Sequence, residues 1–125
     1  MASQPIHPGE LIEPLILAPG GYSQSQLARQ LGFNQPQPVN ELTNGKRNIT
    51  PKMALLLERL TQNMYPAEFW LLAQLRWDLC VARDALSPSR TGLVQPVSLS
   101  VGRGAELKGI DVEGLLRIAS QLDAV

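Results

Sequence analysis

The stretch SQSQLARQLGFNQPQPVNELTNGKRNI, residues 23–49, holds two short apolar patterns separated by a turn. In its first half, apolar residues recur at helical spacing: Leu27, Ala28 and Leu31. Ser23 supplies an N-cap oxygen before this pattern, and Gly32 follows it, where a helix end favours a residue that tolerates positive φ. The first half therefore predicts one short amphipathic helix.

The second half predicts a helix with an amide-rich outer face. Its apolar side is Val39 and Leu42, and it closes at Asn44-Gly45, a dipeptide that suits a left-handed cap. Polar side chains surround these anchors: Gln35, Gln37, Asn40, Thr43 and Asn44. Because Asn and Gln donate and accept at once, they can pair bidentately with the N6/N7 edge of adenine in the major groove. Two short helices and a tight turn thus predict a helix-turn-helix unit.

The cations Lys46 and Arg47 follow the second helix, where a helix-turn-helix protein usually meets phosphates. We expect contacts to base edges from Gln35, Gln37 and Asn40. The residues assigned to phosphates are Ser23, Gln24, Asn44, Lys46 and Arg47. Glu41, in the same helix, either accepts from a cytosine amino group or stays solvated. The plain alternative, a small helical protein with ordinary polar faces, is disfavoured because cap, turn, amide face and cationic loop all agree.

Composition limits the class of protein. At 125 residues the chain is one domain by length, with room for an appended tail. Eleven basic and eleven acidic side chains give zero net charge, so any attraction to DNA has to be local or doubled in a dimer. Cys80 is the single cysteine, and neither a signal peptide nor a long apolar run is visible, so we expect a cytoplasmic protein without a membrane segment.

Three further helices are predicted around the helix-turn-helix unit. The first opens at His7-Pro8-Gly9-Glu10, and Pro14 should kink or shorten it. The fourth runs from Thr50-Pro51 to about Leu60, with residues available to the core: Ala54, Leu55, Leu57 and Leu60. The fifth starts at Pro66 and carries a stripe that is core or interface: Phe69, Ala73, Trp77 and Cys80. Trp70 and Trp77 are expected to pack in the core, with a share in a dimer interface as the second choice.

Three motifs carry a resemblance to a known family: HPGE at residues 7–10, the pattern SQxxLAxxLG…VNxLxNGKR, and EFWLLAQLRWDL at residues 68–79. Together they resemble the HigA-type antitoxins, a branch of the Cro and lambda-repressor-like (XRE) helix-turn-helix family, from Pro5 to about Asp84. The resemblance implies a five-helix domain that dimerises, represses its own operon on a palindromic operator and neutralises a toxin of the HigB type, a ribosome-dependent mRNA endonuclease. Trp77 stands where an aromatic residue, commonly Tyr, is usual.

Two departures from the family pattern affect these expectations. Residues 33–38 carry one extra residue, and Pro36 and Pro38 occupy the start of the recognition helix. The prolines fit if Gln35 is the N-cap, because the first helical amides lack intrahelical partners anyway. The joint before Tyr65-Pro66 is slightly longer than usual, which should change the angle between the fourth and fifth helices.

Composition changes after Asp84, so we expect a domain at residues 1–84 and an arm at 85–125. LVQPVSLSV, residues 93–101, is a linker or a short edge strand. IDVEGLLRIASQLDAV, residues 110–125, predicts an amphipathic terminal helix at about 111–123. Its apolar face needs a partner surface, which is the chain's own domain, a second protomer or the toxin.

No catalytic constellation is present. His7 is expected to cap a helix or to be exposed, and Cys80 to behave as a small buried hydrophobe. The carboxylates form no recognisable catalytic or metal pattern, so we expect no enzyme, cofactor or metal. The sequence predicts an all-α DNA-binding antitoxin that forms a homodimer. The alternatives are a free-standing repressor without a toxin and a module that binds only protein.

Overall fold

The computed structural model describes residues 5–99 and 109–122, and this part of the chain is all-helical. Its helices are α1 (the consecutive segments Pro8–Leu11, Glu13–Leu17 and Ala18–Gly20), α2 (Gln24–Gln30), α3 (Gln37–Thr43), α4 (Pro51–Leu60), α5 (Ala67–Ala85), α6 (Pro88–Thr91) and α7 (Val112–Leu122). The predicted all-α class is confirmed, and so is the order of five helices, of which α2 and α3 form the helix-turn-helix unit. One compact unit ends at Arg83, and a second begins at Asp84.

Helix α1 changes its winding at Pro14 instead of breaking there. Residues Pro8–Leu11 form a 3₁₀ turn, and Glu13–Leu17 form a π-helical segment in which the Ala18 N–H donates to the Glu13 carbonyl. Pro14 is the second residue of that segment, so the N–H that it lacks falls where the 3₁₀ winding changes to the π winding. The wider winding therefore accommodates a proline that would clash inside an α-helix.

The core of the first unit is built from all five of its helices. Its fully buried side chains include Ile12, Leu27, Val39, Leu42, Leu57 and Trp70. The expectation for Trp70 is confirmed, whereas Trp77 is only half-buried. Leu55 was expected in the core, but its side chain is 56% exposed, because Met53, Ala54 and Leu57 occupy the inward face of α4. Cys80 is partly buried instead of fully buried, since α5 extends past the core at that point.

Helices α2, α3 and α4 end in the same hydrogen-bonded motif. After α2 the Gly32 N–H donates to Arg29 and the Phe33 N–H to Ala28, and after α3 Gly45 and Lys46 repeat this pair of bonds. These are Schellman caps, which require positive φ at the first residue past the cap. Gly32 and Gly45 supply it with φ of 90° and 72°.

The joint between α4 and α5 departs from this use of glycine. Gln62 and Asn63 have φ of 52° and 66°, a region that costs an L-residue free energy. The Glu58 carboxylate then accepts from the Ala67 N–H at 2.9 Å, which caps α5. The indole N–H of Trp70 donates to the Tyr65 carbonyl at 3.1 Å, so the joint is fixed to the core.

The second unit contains α6 and α7, and nearly all its described side chains are exposed. The terminal helix predicted from the sequence is present as α7, capped by Asp111, whose carboxylate accepts from the Gly114 N–H at 2.9 Å. Residues 93–99 contain no strand: the Leu93 and Val94 N–H groups donate to the Arg90 and Thr91 carbonyls at the end of α6, and residues 100–101 of the expected strand lie outside the described residues. The short helix α6, capped by Ser87, was not anticipated.

Candidate nucleic-acid interface

Ser23 begins α2 with a complete capping box. Its Oγ accepts from the Gln26 N–H at 3.1 Å, while its own N–H donates to Gln26 Oε1 at 2.8 Å. The N-cap expectation for Ser23 is confirmed, and the reciprocal partner Gln26 completes it. The hydroxyl hydrogen of Ser23 is not used by the cap, so this exposed side chain keeps a donor that can meet a phosphate.

Gln24 ties α2 to α3. Its Nε2 donates to Thr43 Oγ1 at 3.1 Å, and that hydroxyl donates to the Asn40 carbonyl at 3.1 Å. Thr43 is therefore an internal link between the two helices instead of an outward polar group. Gln24 retains one amide hydrogen beyond this bond, because its amide has two. The bond fixes the relative position of the two helices at the surface where the predicted DNA contacts lie.

Helix α3 begins one residue later than the sequence suggested. Its N-cap is Pro36, with helical backbone angles of φ −76° and ψ −12°, and the expectation that Gln35 is the cap is wrong. The first intrahelical bond joins the Asn40 N–H to the Pro36 carbonyl at 3.0 Å, so Pro38 falls where its missing N–H has no partner to lose. Gln35 is exposed in the preceding loop instead of standing on the helix.

The other predicted base contacts stand on α3 itself. Gln37 is its first residue and Asn40 is one turn further on, and both side chains are exposed. Val39 and Leu42 are fully buried beneath them. The helix therefore presents the Gln37 and Asn40 amides outward from a fixed backbone, as the sequence predicts.

The loop after α3 holds the remaining candidates. Asn44 is the C-cap of α3, and Lys46 and Arg47 are exposed beyond it. Arg47 pairs with Glu41, whose Oε1 accepts from Nη2 at 2.6 Å and from Nε at 3.1 Å. Glu41 thus remains partly solvated, as one of the two expectations for it states, but it is paired with Arg47. The pair is well exposed, so it contributes little to stability.

Two buried polar side chains hold this loop from below. Gln74 of α5 accepts from the Ile49 N–H through Oε1 at 2.7 Å and donates from Nε2 to Asp78 at 2.9 Å. His7 is only 2% exposed, and its Nδ1 accepts from the Gly9 N–H at 3.0 Å while its Nε2 lies 3.3 Å from Asn48 Oδ1.

The capping role expected for His7 is confirmed, but its exposure is not, because Trp77 covers the ring edge to face at 5.4 Å. Sequence reasoning did not assign these loop-holding roles to His7 and Gln74. A lone glutamine in an otherwise apolar part of α5 was the available signal for the second.

Gly9 explains the rest of the HPGE motif. A Cβ added at this glycine would lie 1.8 Å from the Leu42 carbonyl oxygen, so the start of α1 packs directly against the end of α3. Gly45 sits beside the same motif, where a Cβ would lie 3.5 Å from the His7 Cβ. The N-terminus of the first helix therefore supports the end of the helix that carries Gln37 and Asn40.

Other kinds of site find little support. Among residues 5–99 and 109–122, no three His, Cys, Asp or Glu side chains come close enough to hold a metal ion. Within the same part of the chain, no helix has the length and hydropathy needed to cross a bilayer. The fold and the exposed amide face define a helix-turn-helix protein of the lambda-repressor-like class.

Comparisons with known proteins narrow this class. The chain is 36% identical over 95 residues to virulence-associated protein A′ of Dichelobacter nodosus. This alignment covers 76% of this chain and 80% of that protein. The structure of Pseudomonas aeruginosa antitoxin HigA with the higBA promoter matches with a TM-score of 0.67 and 30% identity, over 75% of this chain and 99% of that one.

An addiction-module antidote protein of a HigA family from Coxiella burnetii matches with a TM-score of 0.67 and 30% identity, over 76% of this chain and 100% of that one. The sequence matches no family model. The chain belongs to the HigA family of antitoxins.

Proposed function

We propose that this protein is the antitoxin of a type II toxin-antitoxin module, that it represses its own operon by binding operator DNA, and that it neutralises a HigB-like mRNA endonuclease. It acts by binding and not by catalysis, in the cytoplasm, where its operator and its toxin's target are found. The observation that carries the DNA-binding part is the exposed amide face of α3, held between the Gln24–Thr43 bond and the anchored loop. The Pseudomonas HigA, whose structure includes its promoter DNA, supports the same assignment.

In this proposal α3 is the recognition helix, which contacts base edges together with the loop before it, and residues of α2 and of the loop after α3 contact phosphates. Gln35, Gln37 and Asn40 contact base edges, and phosphates are held by Ser23, Gln24, Asn44, Lys46 and Arg47. The salt bridge with Glu41 restrains the Arg47 guanidinium, whose remaining N–H groups stay available to a phosphate. Zero net charge makes these few local cations the main electrostatic attraction, so binding should depend steeply on salt.

A duplex-binding assay tests this division of labour. Fluorescence anisotropy with DNA from immediately upstream of the gene, and with a scrambled duplex of equal length, measures preference and salt dependence. Gln37→Ala should lose roughly 1–3 kcal/mol of binding free energy on the upstream duplex only, so its preference for the upstream over the scrambled duplex should decrease. Lys46→Ala should weaken both duplexes alike and flatten the salt slope by about one charge. Identical behaviour of the two variants would show the division to be wrong.

The homodimer in this proposal uses an apolar stripe on α5. Four side chains recur at three- and four-residue steps on the side of the helix opposite Trp70: Leu72, Leu75, Leu79 and Ala82. Leu75 and Leu79 are 41% and 37% exposed in the single chain. Their spacing is that of apolar residues along which two helices pair, so a second protomer would cover them. Two protomers joined there would present two α3 helices to a palindromic operator and double the cationic contacts.

Oligomeric state tests the stripe. Leu79→Glu should convert the dimer to a monomer in sedimentation equilibrium, since it places a charge in the seam. Val81→Glu is the matched control, because Val81 is a similarly exposed apolar residue of the same helix but lies off the stripe. A wild type that is monomeric at all concentrations, or a dimer unaffected by Leu79→Glu, would contradict this interface.

We assign toxin binding to the arm after Ala85, where α7 exposes Leu115, Leu116 and Ile118. About three quarters of this chain covers the two HigA structures almost entirely, so about a quarter of the chain has no counterpart in them and can serve a separate role. A pull-down from cells carrying the native locus tests it with wild type and Leu116→Asp, and with Gln121→Asp as the control on the same helix.

Recovery of upstream DNA without any second protein would leave a free-standing repressor. Failure to bind any duplex at low salt would favour a protein-only module.

A further inference from the structure

We propose that Asn48 is a further phosphate-binding residue of the DNA interface, and that His7 is the positioning residue that turns its amide donor outward. This inference rests on the DNA-binding part of the proposed function. It concerns two side chains to which the family motifs and the sequence pattern give no role in binding. The two residues lie 41 positions apart in the chain and meet beneath the end of α3.

The hydrogen bond to Gly9 determines which nitrogen of His7 carries the proton. A backbone N–H can only donate, so Nδ1, which lies 3.0 Å from the Gly9 nitrogen, has to be the unprotonated acceptor. The proton of the neutral ring is therefore on Nε2. Because Nε2 donates, the Asn48 atom 3.3 Å away has to be the amide oxygen. The reverse orientation of the Asn48 amide would place two donors against each other.

The orientation of Asn48 follows from that bond. With Oδ1 turned toward the buried ring, the NH₂ group on the other branch of the planar amide points away from it. Asn48 is an exposed residue, and it directly follows Lys46 and Arg47 in the anchored loop. An NH₂ group held toward solvent beside two cations is a donor suited to a phosphate oxygen.

The surroundings of His7 make this orientation rigid. Trp77 packs edge to face on the ring at 5.4 Å, and the Gly45 Cβ position lies at contact distance, 3.5 Å from the His7 Cβ. The His7 side chain is only 2% exposed. The Ile49 N–H, next along the chain from Asn48, is fixed by Gln74 at 2.7 Å. Because His7 holds the Asn48 side chain and Gln74 holds the next backbone N–H, the Asn48 donor loses little conformational entropy on contact with DNA.

Binding measurements separate this role from that of a cation. Asn48→Ala should weaken binding roughly 10- to 100-fold on the upstream and the scrambled duplex alike, the value of a hydrogen bond from a neutral donor to a charged acceptor. The salt slope should stay that of the wild type, because a neutral amide displaces no counterion, whereas Lys46→Ala flattens it by about one charge. Equal binding by Asn48→Ala and wild type would overturn the phosphate contact.

The positioning role of His7 needs its own variant. His7→Asn keeps an N-cap oxygen for the Gly9 N–H but is too short to reach Asn48, so it should lose about as much affinity as Asn48→Ala. The double variant should bind no worse than either single variant, because both remove the same contact. Additive losses at a temperature where all variants are folded would show that His7 does not act through Asn48.

A measurement without DNA completes the test. His7 is the only histidine, so a long-range ¹H–¹⁵N spectrum of the wild type reports its ring without ambiguity, and we expect the Nε2–H tautomer. The Nδ1–H tautomer would overturn the orientation even if DNA binds. A wild type with the Nε2–H tautomer that binds no duplex would instead contradict the proposed function, and the phosphate contact with it.

Discussion

Gly9→Ala should destabilise the first unit more than its single added methyl group suggests. The new Cβ would lie 1.8 Å from the Leu42 carbonyl oxygen and 2.7 Å from its carbon, both backbone atoms. An ordinary carbon–oxygen contact is about 3.3–3.6 Å, so α1 and the end of α3 would have to separate by roughly 1.5 Å. Overpacking of this kind costs about 2–3 kcal/mol.

Thermal unfolding followed by circular dichroism measures this cost. For a first unit of this size, a loss of about 2–3 kcal/mol should lower the Tm by roughly 10–20 °C. Gly20→Ala is the matched control at the other end of α1, where the Cβ would meet only the exposed Tyr22 ring, which can rotate away. If Gly9→Ala unfolds within 2–3 °C of Gly20→Ala, on the order of 0.5 kcal/mol, the packing of α1 on α3 is not as tight as the structure has it.

Three further predictions follow from the caps and the loop. Gln62→Gly should raise stability by about 0.5–1 kcal/mol in urea unfolding, because glycine adopts its φ of 52° without strain; a loss would show that its side chain matters more than its backbone. Gln74→Leu should cost about 1–3 kcal/mol, since it leaves the Ile49 N–H buried without an acceptor, and retention of wild-type stability would mean that another acceptor replaces it. Glu41→Gln should change the free energy of unfolding by less than about 0.5 kcal/mol, because the Glu41–Arg47 pair is exposed. The same variant should bind any duplex more tightly, because it removes a negative charge beside the phosphates. Weaker binding would mean that Arg47 needs Glu41 to hold it in place.

The motifs visible in residues 23–49 predict the local structure well, because each depends on neighbours in the chain. Ser23 caps α2 as expected, and Gly32 and Gly45 adopt positive φ where the two helices end. Such features require only a side chain within three residues or a residue without a Cβ. The start of α3 was misplaced for a related reason, since Pro36 allows both a turn and a helical N-cap and the choice depends on how the preceding loop packs.

The arm illustrates the opposite case. Its alternating residues 93–99 have the pattern of a strand but form none, because a strand requires hydrogen bonds to a second backbone segment, which no pattern within residues 93–99 can supply. Helix α7 forms as its spacing predicts, because all its hydrogen bonds are internal to the segment. Periodicity alone therefore predicts a helix more securely than a strand.

The all-helical class, the helix-turn-helix unit, its caps and the exposed amides of α3 can be predicted from the sequence, because they follow from periodicity and from contacts within a few residues. The way in which the loop after α3 is held depends instead on contacts between distant parts of the chain. The His7 ring meets Asn48, Gln74 meets Ile49, and Gly9 meets Leu42, across separations of 25 to 41 residues for the two hydrogen bonds. No local pattern specifies such pairs, since a buried donor takes whichever acceptor the packing of distant helices brings to it.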